Sequence, residues 1–405
     1  MLTVDQRTRR DDDIVAVDAA DFFGRELPER IVADGDLARP GAIELQPRAL
    51  AIDTDDGCWT LALDEDQLVV RAGDDGAPAK VRLDGEQLTD LVHDVRTPMG
   101  FLTGGDLQQE RGRLDDLLDW WVVLRSLLDR RPAHTTGAVA FAEADGEPLD
   151  LHQGFDADAA DDELAHFLGQ AGFLHLRSVF TEDEMAQISR DMDAAFPHYA
   201  PDDGRSWWAT TGSGEHRAVR LQHFHEHSPT TAGLLEDERL TRLARLTSDG
   251  HRPEAQFGGN AIEALVKPLD VVAGISDLPW HKDCSLGRHS YRCCSMTVGI
   301  SVTGADASSG QLRVVAGSHR ALVQPAFVRR GLDLPEIDLP TRTGDVTVHL
   351  SCTLHMSQAP RTAERRVLYT GFRLPDEGRT SPETAAKLSR IREGSYKTVS
   401  QPKQR

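Results

Sequence analysis

The stretch LPWHKDCSLGRHSYRCC, residues 278–294, sets a histidine and an aspartate one residue apart. Side chains in an extended strand alternate, so His281 and Asp283 point the same way. An imidazole and a carboxylate on one face can be two ligands of a divalent metal. Two histidines with one carboxylate leave coordination positions open, the arrangement of non-haem Fe(II) oxygenases. The pair is weak evidence by itself, because the chain carries 16 histidines. A satisfied histidine beside a solvated acid is the ordinary alternative. A second stretch, GDVTVHLSCTLHMSQAPRTAERRVLYTGFRL, residues 344–374, adds candidates. His349 lies on a predicted strand, and His355 and Ser357 follow a turn. His349 and His355 share strand parity, so either can be the third ligand. Arg365 and Arg366 open the next strand. A buried arginine requires an anionic partner, which a dicarboxylate offers through a bidentate pair. Ser357 shares the face of His355 and adds a hydroxyl donor. Strand parity in RRVLYTGF does not choose between the two arginines.

The elements that must hold these residues are mostly strands. From about residue 262 to 375, AIEALVKPL, CSMTVGISVTG, GQLRVVAGS, GDVTVHLS and RRVLYTGFRL are separated by Gly, Pro, Asp and Ser breaks. This pattern predicts a sandwich or jelly-roll barrel. Ahead of it, DDELAHFLGQAGFLHLRSVF reads as helix, glycine and strand. TEDEMAQISRDMDAAF then places Thr181 and Glu184 in capping-box spacing, with Met185, Ile188 and Met192 on one helical face. Residues 204–229, rich in Trp, Arg and His, read either as a lid or as a surface loop with packed tryptophans. As a lid they would bring Trp207 or Trp208 to a substrate and Arg220 or Gln222 to a cosubstrate. Lys267 can touch the same cosubstrate or simply snorkel. Cys284 and Cys352 read as small core residues.

Residues 1–135 predict a separate, smaller α+β domain. An opening helix carries Phe22, Phe23, Leu27 and Ile31 on one face, short strands follow over 42–84, and helices close the unit. Residues 136–160 read as a linker, 161–380 as the catalytic domain, and 381–405 as a polar tail with a short helix and then disorder. The formal net charge of -21 argues against nucleic acid as a partner. No apolar run reaches the length of a membrane span, and the first residues lack a secretory apolar core, so a cytoplasmic location is expected. Five cysteines without a C-x-x-C argue against a disulfide framework or a structural zinc site.

Residues 165–375 resemble the phytanoyl-CoA dioxygenase family of Fe(II)/2-oxoglutarate-dependent oxygenases. The likeness rests on AGFLHLRSVFTEDEMAQI, VKPLD followed by LPWHKD, SGQLRVVAGSHR, and GDVTVHLSCTLHMS with an arginine beyond. It implies a double-stranded β-helix (jelly-roll, cupin-like) with flanking helices. It implies that His281, Asp283 and His355 hold iron and that Arg366 and Ser357 anchor 2-oxoglutarate. The family's spacing selects His355 over His349, and Arg366 over Arg365. The implied reaction uses O2 to hydroxylate a small molecule, releasing succinate and CO2. The substrate would be an acyl-CoA, an amino acid or a secondary-metabolite intermediate. Asp283 favours hydroxylation, since halogenating relatives replace that carboxylate. Two alternatives are a non-catalytic ligand-binding scaffold and a cupin-type metal enzyme that does not use 2-oxoglutarate. The first 135 residues resemble the sterol-carrier-protein type 2 fold, which implies a lipid or small-molecule groove. The competing reading there is a docking domain whose tryptophans are core.

Overall fold

The computed structural model describes residues 10–257, 260–274 and 276–395. Its first unit packs helices on a five-stranded sheet. Leu27–Leu45 forms the long opening helix, preceded by a turn of π-helix at Phe22–Glu26. Phe22, Phe23 and Leu27 are buried, and Phe23 stacks on Trp59 at 5.2 Å. The strands are β1 (Leu50–Thr54), β2 (Gly57–Asp64), β3 (Gln67–Ala72), β4 (Ala79–Arg82) and β5 (Gln108–Arg111), ordered β3-β2-β1-β4-β5. Glu65 and Asp66 both take positive φ, the geometry that lets a two-residue hairpin turn follow strand twist. The helix Leu114–Asp129 is buried at every residue from Asp116 to Asp129. It is therefore enclosed, and its tryptophans are core. Trp120 donates its indole N–H to the Arg48 carbonyl at 2.7 Å, and Trp121 packs edge-on against His289.

The second unit is a jelly roll of two facing sheets. Its strands are β6 (Phe155–Asp156), β7 (Phe173–Arg177), β8 (Ser206–Thr211), β9 (His216–Leu221), β10 (Arg252–Pro253), β11 (Glu263–Lys267), β12 (Val271–Ala273), β13 (Leu278–His281), β14 (Ser295–Ser301), β15 (Leu312–Val315), β16 (Glu336–Leu339), β17 (Val346–Leu350), β18 (His355–Ser357) and β19 (Arg365–Arg373). The large sheet runs β12-β8-β9-β11-β19-β14-β17-β7-β6, with β10 on β19. The small sheet runs β13-β18-β15-β16. Alternation assigns the two faces. Val346, Val348 and Leu350 enter the main core on the helix side, so Thr347 and His349 face the opposing sheet. The helix Glu182–Ala195 covers that core with Met185, Ile188 and Met192. Its capping box is formed, with Thr181 N–H donating to Glu184 at 2.7 Å and Glu184 N–H to Thr181 at 3.2 Å.

Three regions depart from the sequence reading or refine it. Residues 204–229 are mostly a β8–β9 hairpin joined to the large sheet rather than an irregular loop. The stretch expected to be a linker holds the short strand β6 and an Ala142–Pro148 bridge, and its Leu149 and Phe155 enter the main core. Pro382–Ser395 is a helix whose Lys387 Nζ pairs with Glu86 and Asp90 of the first unit at 2.5 and 2.6 Å. The disorder expected after it lies outside the described residues.

Candidate functional site

The facing sheets converge at the ends of β13 and β18. These strands pair antiparallel and set His281 directly across from His355, with ring centroids 4.2 Å apart. His281 Nδ1 lies 2.8 Å from the Pro279 carbonyl, and His355 Nδ1 lies 2.9 Å from that of Thr353. A carbonyl only accepts, so each Nδ1 carries the proton and each Nε2 presents a lone pair. Both lone pairs are aimed at one place: His281 Nε2 is 3.7 Å, and His355 Nε2 3.6 Å, from Asp283 Oδ1. The three ligand atoms lie within 4.8 Å of one another. Asp283 Oδ2 accepts a hydrogen bond from the Thr297 hydroxyl at 3.1 Å, which fixes the carboxylate from behind.

The electrostatics suit a cation. Burial lowers His281 to about 4, with His355 adding to the shift and Asp283 opposing it. Burial likewise lowers His355 to about 4, helped by His349 and opposed by Asp283. Burial alone raises the Asp283 carboxyl, but His355, His349 and His281 together reverse this and hold it well below the usual carboxylate range. His349 joins the cluster from β17, its Nε2 3.8 Å from Asp283 Oδ2 and its ring 4.1 Å from His355. Both His349 ring nitrogens are buried without a hydrogen-bond partner among the described residues. An orphaned imidazole beside a carboxylate is a costly arrangement unless another group completes it.

The expected anchor Arg366 does not reach this site. The physical reason is strand parity. On β19 the side chain of Arg366 points outward to the helix Glu182–Ala195, pairing with Asp193 at 2.8 Å and donating to Ser189 Oγ at 3.0 Å. Arg365 points inward and is 4% exposed. Its guanidinium donates to the Gly310 carbonyl at 2.6 Å and to Ser357 Oγ at 3.2 Å. Lys267, its cross-strand partner on β11, is 8% exposed and donates to the same Ser357 Oγ at 2.6 Å and to the Gln358 carbonyl at 3.1 Å. Burial pushes the Lys267 ammonium well down, Arg365 adds to that, and Asp277 opposes it. Ser357 lies two residues beyond His355 on the same face of β18. Two buried cations thus meet on one hydroxyl next to the triad.

The hairpin residues sort unevenly. Trp207 lies under the Arg220 guanidinium at 4.3 Å, and Arg220 pairs with Glu263 of β11 at 2.5 Å. Trp208 packs against the main core and donates to Ser206 Oγ at 2.9 Å. Gln222 is held through its backbone carbonyl, which accepts from the Tyr199 hydroxyl at 2.8 Å. Glu263 was missed by sequence reasoning. The signal was present in EALVK, where Ala264 and Val266 alternate with Glu263, Leu265 and Lys267.

Residues 168–368 match the family Phytanoyl-CoA dioxygenase (PhyH). No curated protein matches the chain. Among solved structures, the non-heme alpha ketoglutarate dependent epimerase SnoN from nogalamycin biosynthesis is 21% identical, covering 53% of this chain and 82% of its own at a TM-score of 0.43. The carbocyclase SnoK from the same biosynthesis is 22% identical, covering 55% and 87% at 0.42. EctD from S. alaskensis, crystallised with 2-oxoglutarate and 5-hydroxyectoine, is 18% identical, covering 60% and 86% at 0.43. Residues 168–368, which contain the histidine–aspartate cluster and both buried cations, are a domain of the phytanoyl-CoA dioxygenase family.

Proposed function

We propose that the protein is an Fe(II)- and 2-oxoglutarate-dependent oxygenase that hydroxylates a C–H bond of a small organic molecule. The observation that carries this reading is the convergence of Lys267 and Arg365 on Ser357, beside two imidazoles and a carboxylate that share one focus. Two buried cations whose hydrogen bonds go to a hydroxyl and backbone carbonyls are what the distal carboxylate of a diacid requires. His281, Asp283 and His355 supply the donor set of a two-histidine, one-carboxylate iron site. Bound there, iron supplies the oxygen chemistry, coupled to decarboxylation of 2-oxoglutarate to succinate and CO2.

The chain's own residues position and shield. Pro279 and Thr353 fix the tautomers of the two ligand rings, and Thr297 fixes the carboxylate. Lys267, Arg365 and Ser357 orient the cosubstrate by its far end. His349, buried and unpartnered, is the group left to meet the substrate or the cosubstrate's near end. His281 and Asp283 are partly exposed whereas His349 and His355 are buried, so a substrate enters from the side of the former pair. The test is anaerobic titration of the protein with Fe(II) and 2-oxoglutarate, followed by exposure to oxygen with a metabolite extract. The expected results are the visible charge-transfer band of the chelate, then succinate release with a product heavier by one oxygen. Absence of the band overturns the reaction class. A band with no consumption of 2-oxoglutarate under any substrate supports a binding scaffold instead.

A further inference from the structure

Behind the triad the chain gathers a second donor cluster. Cys284 follows Asp283 directly, His289 lies further along the same loop, and Cys352 sits in the turn that leads to His355. Cys284 Sγ is 3.8 Å from Cys352 Sγ and 3.6 Å from His289 Nδ1, and the three donor atoms lie within 4.8 Å of one another. A tetrahedral zinc with Zn–S near 2.3 Å and Zn–N near 2.0 Å sets S···S at about 3.8 Å and S···N at about 3.5 Å. The spacings are those of ligands arranged around an ion. They are too long for a disulfide, whose sulfurs are bonded at about 2.05 Å. A fourth thiol is adjacent: the Cys352 backbone N–H donates to Cys293 Sγ at 3.2 Å.

Lys282, between His281 and Asp283 in sequence, is 1% exposed and donates to the Ser318 carbonyl at 2.9 Å, which anchors the start of this loop against the turn at Ser318. We propose that Cys284, His289 and Cys352 bind a structural zinc ion next to the catalytic centre and separate from it, with the adjacent Cys293 thiol closing in as the fourth ligand when the ion binds. On binding, the thiol protons that now face the Ser290 and Ser295 carbonyls leave as the sulfurs become ligands. The site ties together the residue after Asp283, the middle of the loop, and the turn before His355. Trp121 of the first unit already abuts the His289 ring, and Asp94 accepts its backbone N–H. The absence of a C-x-x-C pattern hid this grouping, because its members come from positions 284 to 352.

The test uses full-length protein expressed with zinc and iron available, then washed with a weak chelator. Elemental analysis is expected to find an equivalent of zinc in the wild type and in His281→Ala, and none in Cys284→Ser or Cys352→Ser. Cobalt(II) exchanged into the wild type is expected to show intense thiolate-to-cobalt absorption, which a histidine–carboxylate site does not give. This readout stands even if Cys352→Ser fails to fold. Zinc-free wild type, zinc lost from His281→Ala but kept in Cys352→Ser, no thiolate absorption with cobalt, or a Cys284–Cys352 disulfide found by mass spectrometry each overturns the proposal.

Discussion

One peptide bond separates a guanidinium that enters the barrel from one that leaves it. Arg365→Ala is expected to weaken 2-oxoglutarate binding by about a hundredfold or more, the loss of about 3 kcal/mol that follows removal of one buried charged partner. Arg366→Ala is expected to leave that affinity unchanged and cost about 1 kcal/mol of stability, because its Asp193 partner is 59% exposed. Cosubstrate titration and denaturant melts of both variants check this; equal loss of affinity in the two would overturn the assignment. The imidazoles make a second prediction. His281 and His355 are lowered from 6.5 to about 4, so the unfolded chain takes protons that the folded chain refuses. The contribution of these two rings to the stability of the metal-free protein should therefore decline as pH falls from 6.5 to about 4 and level off below, where the depressed carboxylates such as Asp283 begin to lose theirs. Thermal melts across that range measure it, and substitution of both rings should flatten the decline.

At the level of elements, the sequence was legible wherever a local rule was sufficient. Thr181 and Glu184 announce a helix start by spacing alone, and β14, β17 and β19 announce themselves by apolar runs between breakers. The H-x-D pair was legible because its members are close in sequence, although Asp283 lies in the turn after β13 and reaches His281 there rather than by strand alternation. Choosing Arg365 over Arg366 was not, since it depends on which residue of β19 faces Lys267 across the sheet, a long-range register. The β8–β9 hairpin was obscured by its tryptophans, histidines and arginines, which mask an ordinary alternation. Glycine positions permit a direct check. Gly344, at φ 84, opens the turn into β17, and a Cβ there would meet the Phe180 carbonyl oxygen at 2.0 Å. Gly344→Ala is expected to cost well over 2 kcal/mol, while Gly137→Ala, at φ 80 in open space, costs about 1 kcal/mol. Chemical denaturation of the two variants compares them; similar costs would mean that the close approach is relieved by movement.

Across the whole molecule, the first unit grips the loop that leaves the histidine–aspartate cluster. The Thr97 hydroxyl donates to the Ser285 carbonyl, Thr97 N–H to that of Leu286 at 3.0 Å, and Tyr291 OH to Asp129 at 2.6 Å. Gly287 passes so close that a Cβ would lie 2.0 Å from the Val95 carbonyl oxygen. Gly287→Ala, which touches none of the triad, is expected to lower both the melting temperature and the affinity for Fe(II) several-fold, because Asp283 lies four residues upstream in the same turn. Isothermal titration with Fe(II) checks it, and unchanged affinity with a lowered melting temperature would show that the docking is purely structural. Lys267 and Arg365 have a consequence of their own at this scale. On the proposed reading, a small diacid held between Lys267 and Arg365 binds the folded chain and not the unfolded one, and so stabilises it. Protein stripped of such molecules should be its most fragile form, and succinate, the spent half of the reaction, should restore its resistance to heat almost as well as the fresh cosubstrate does.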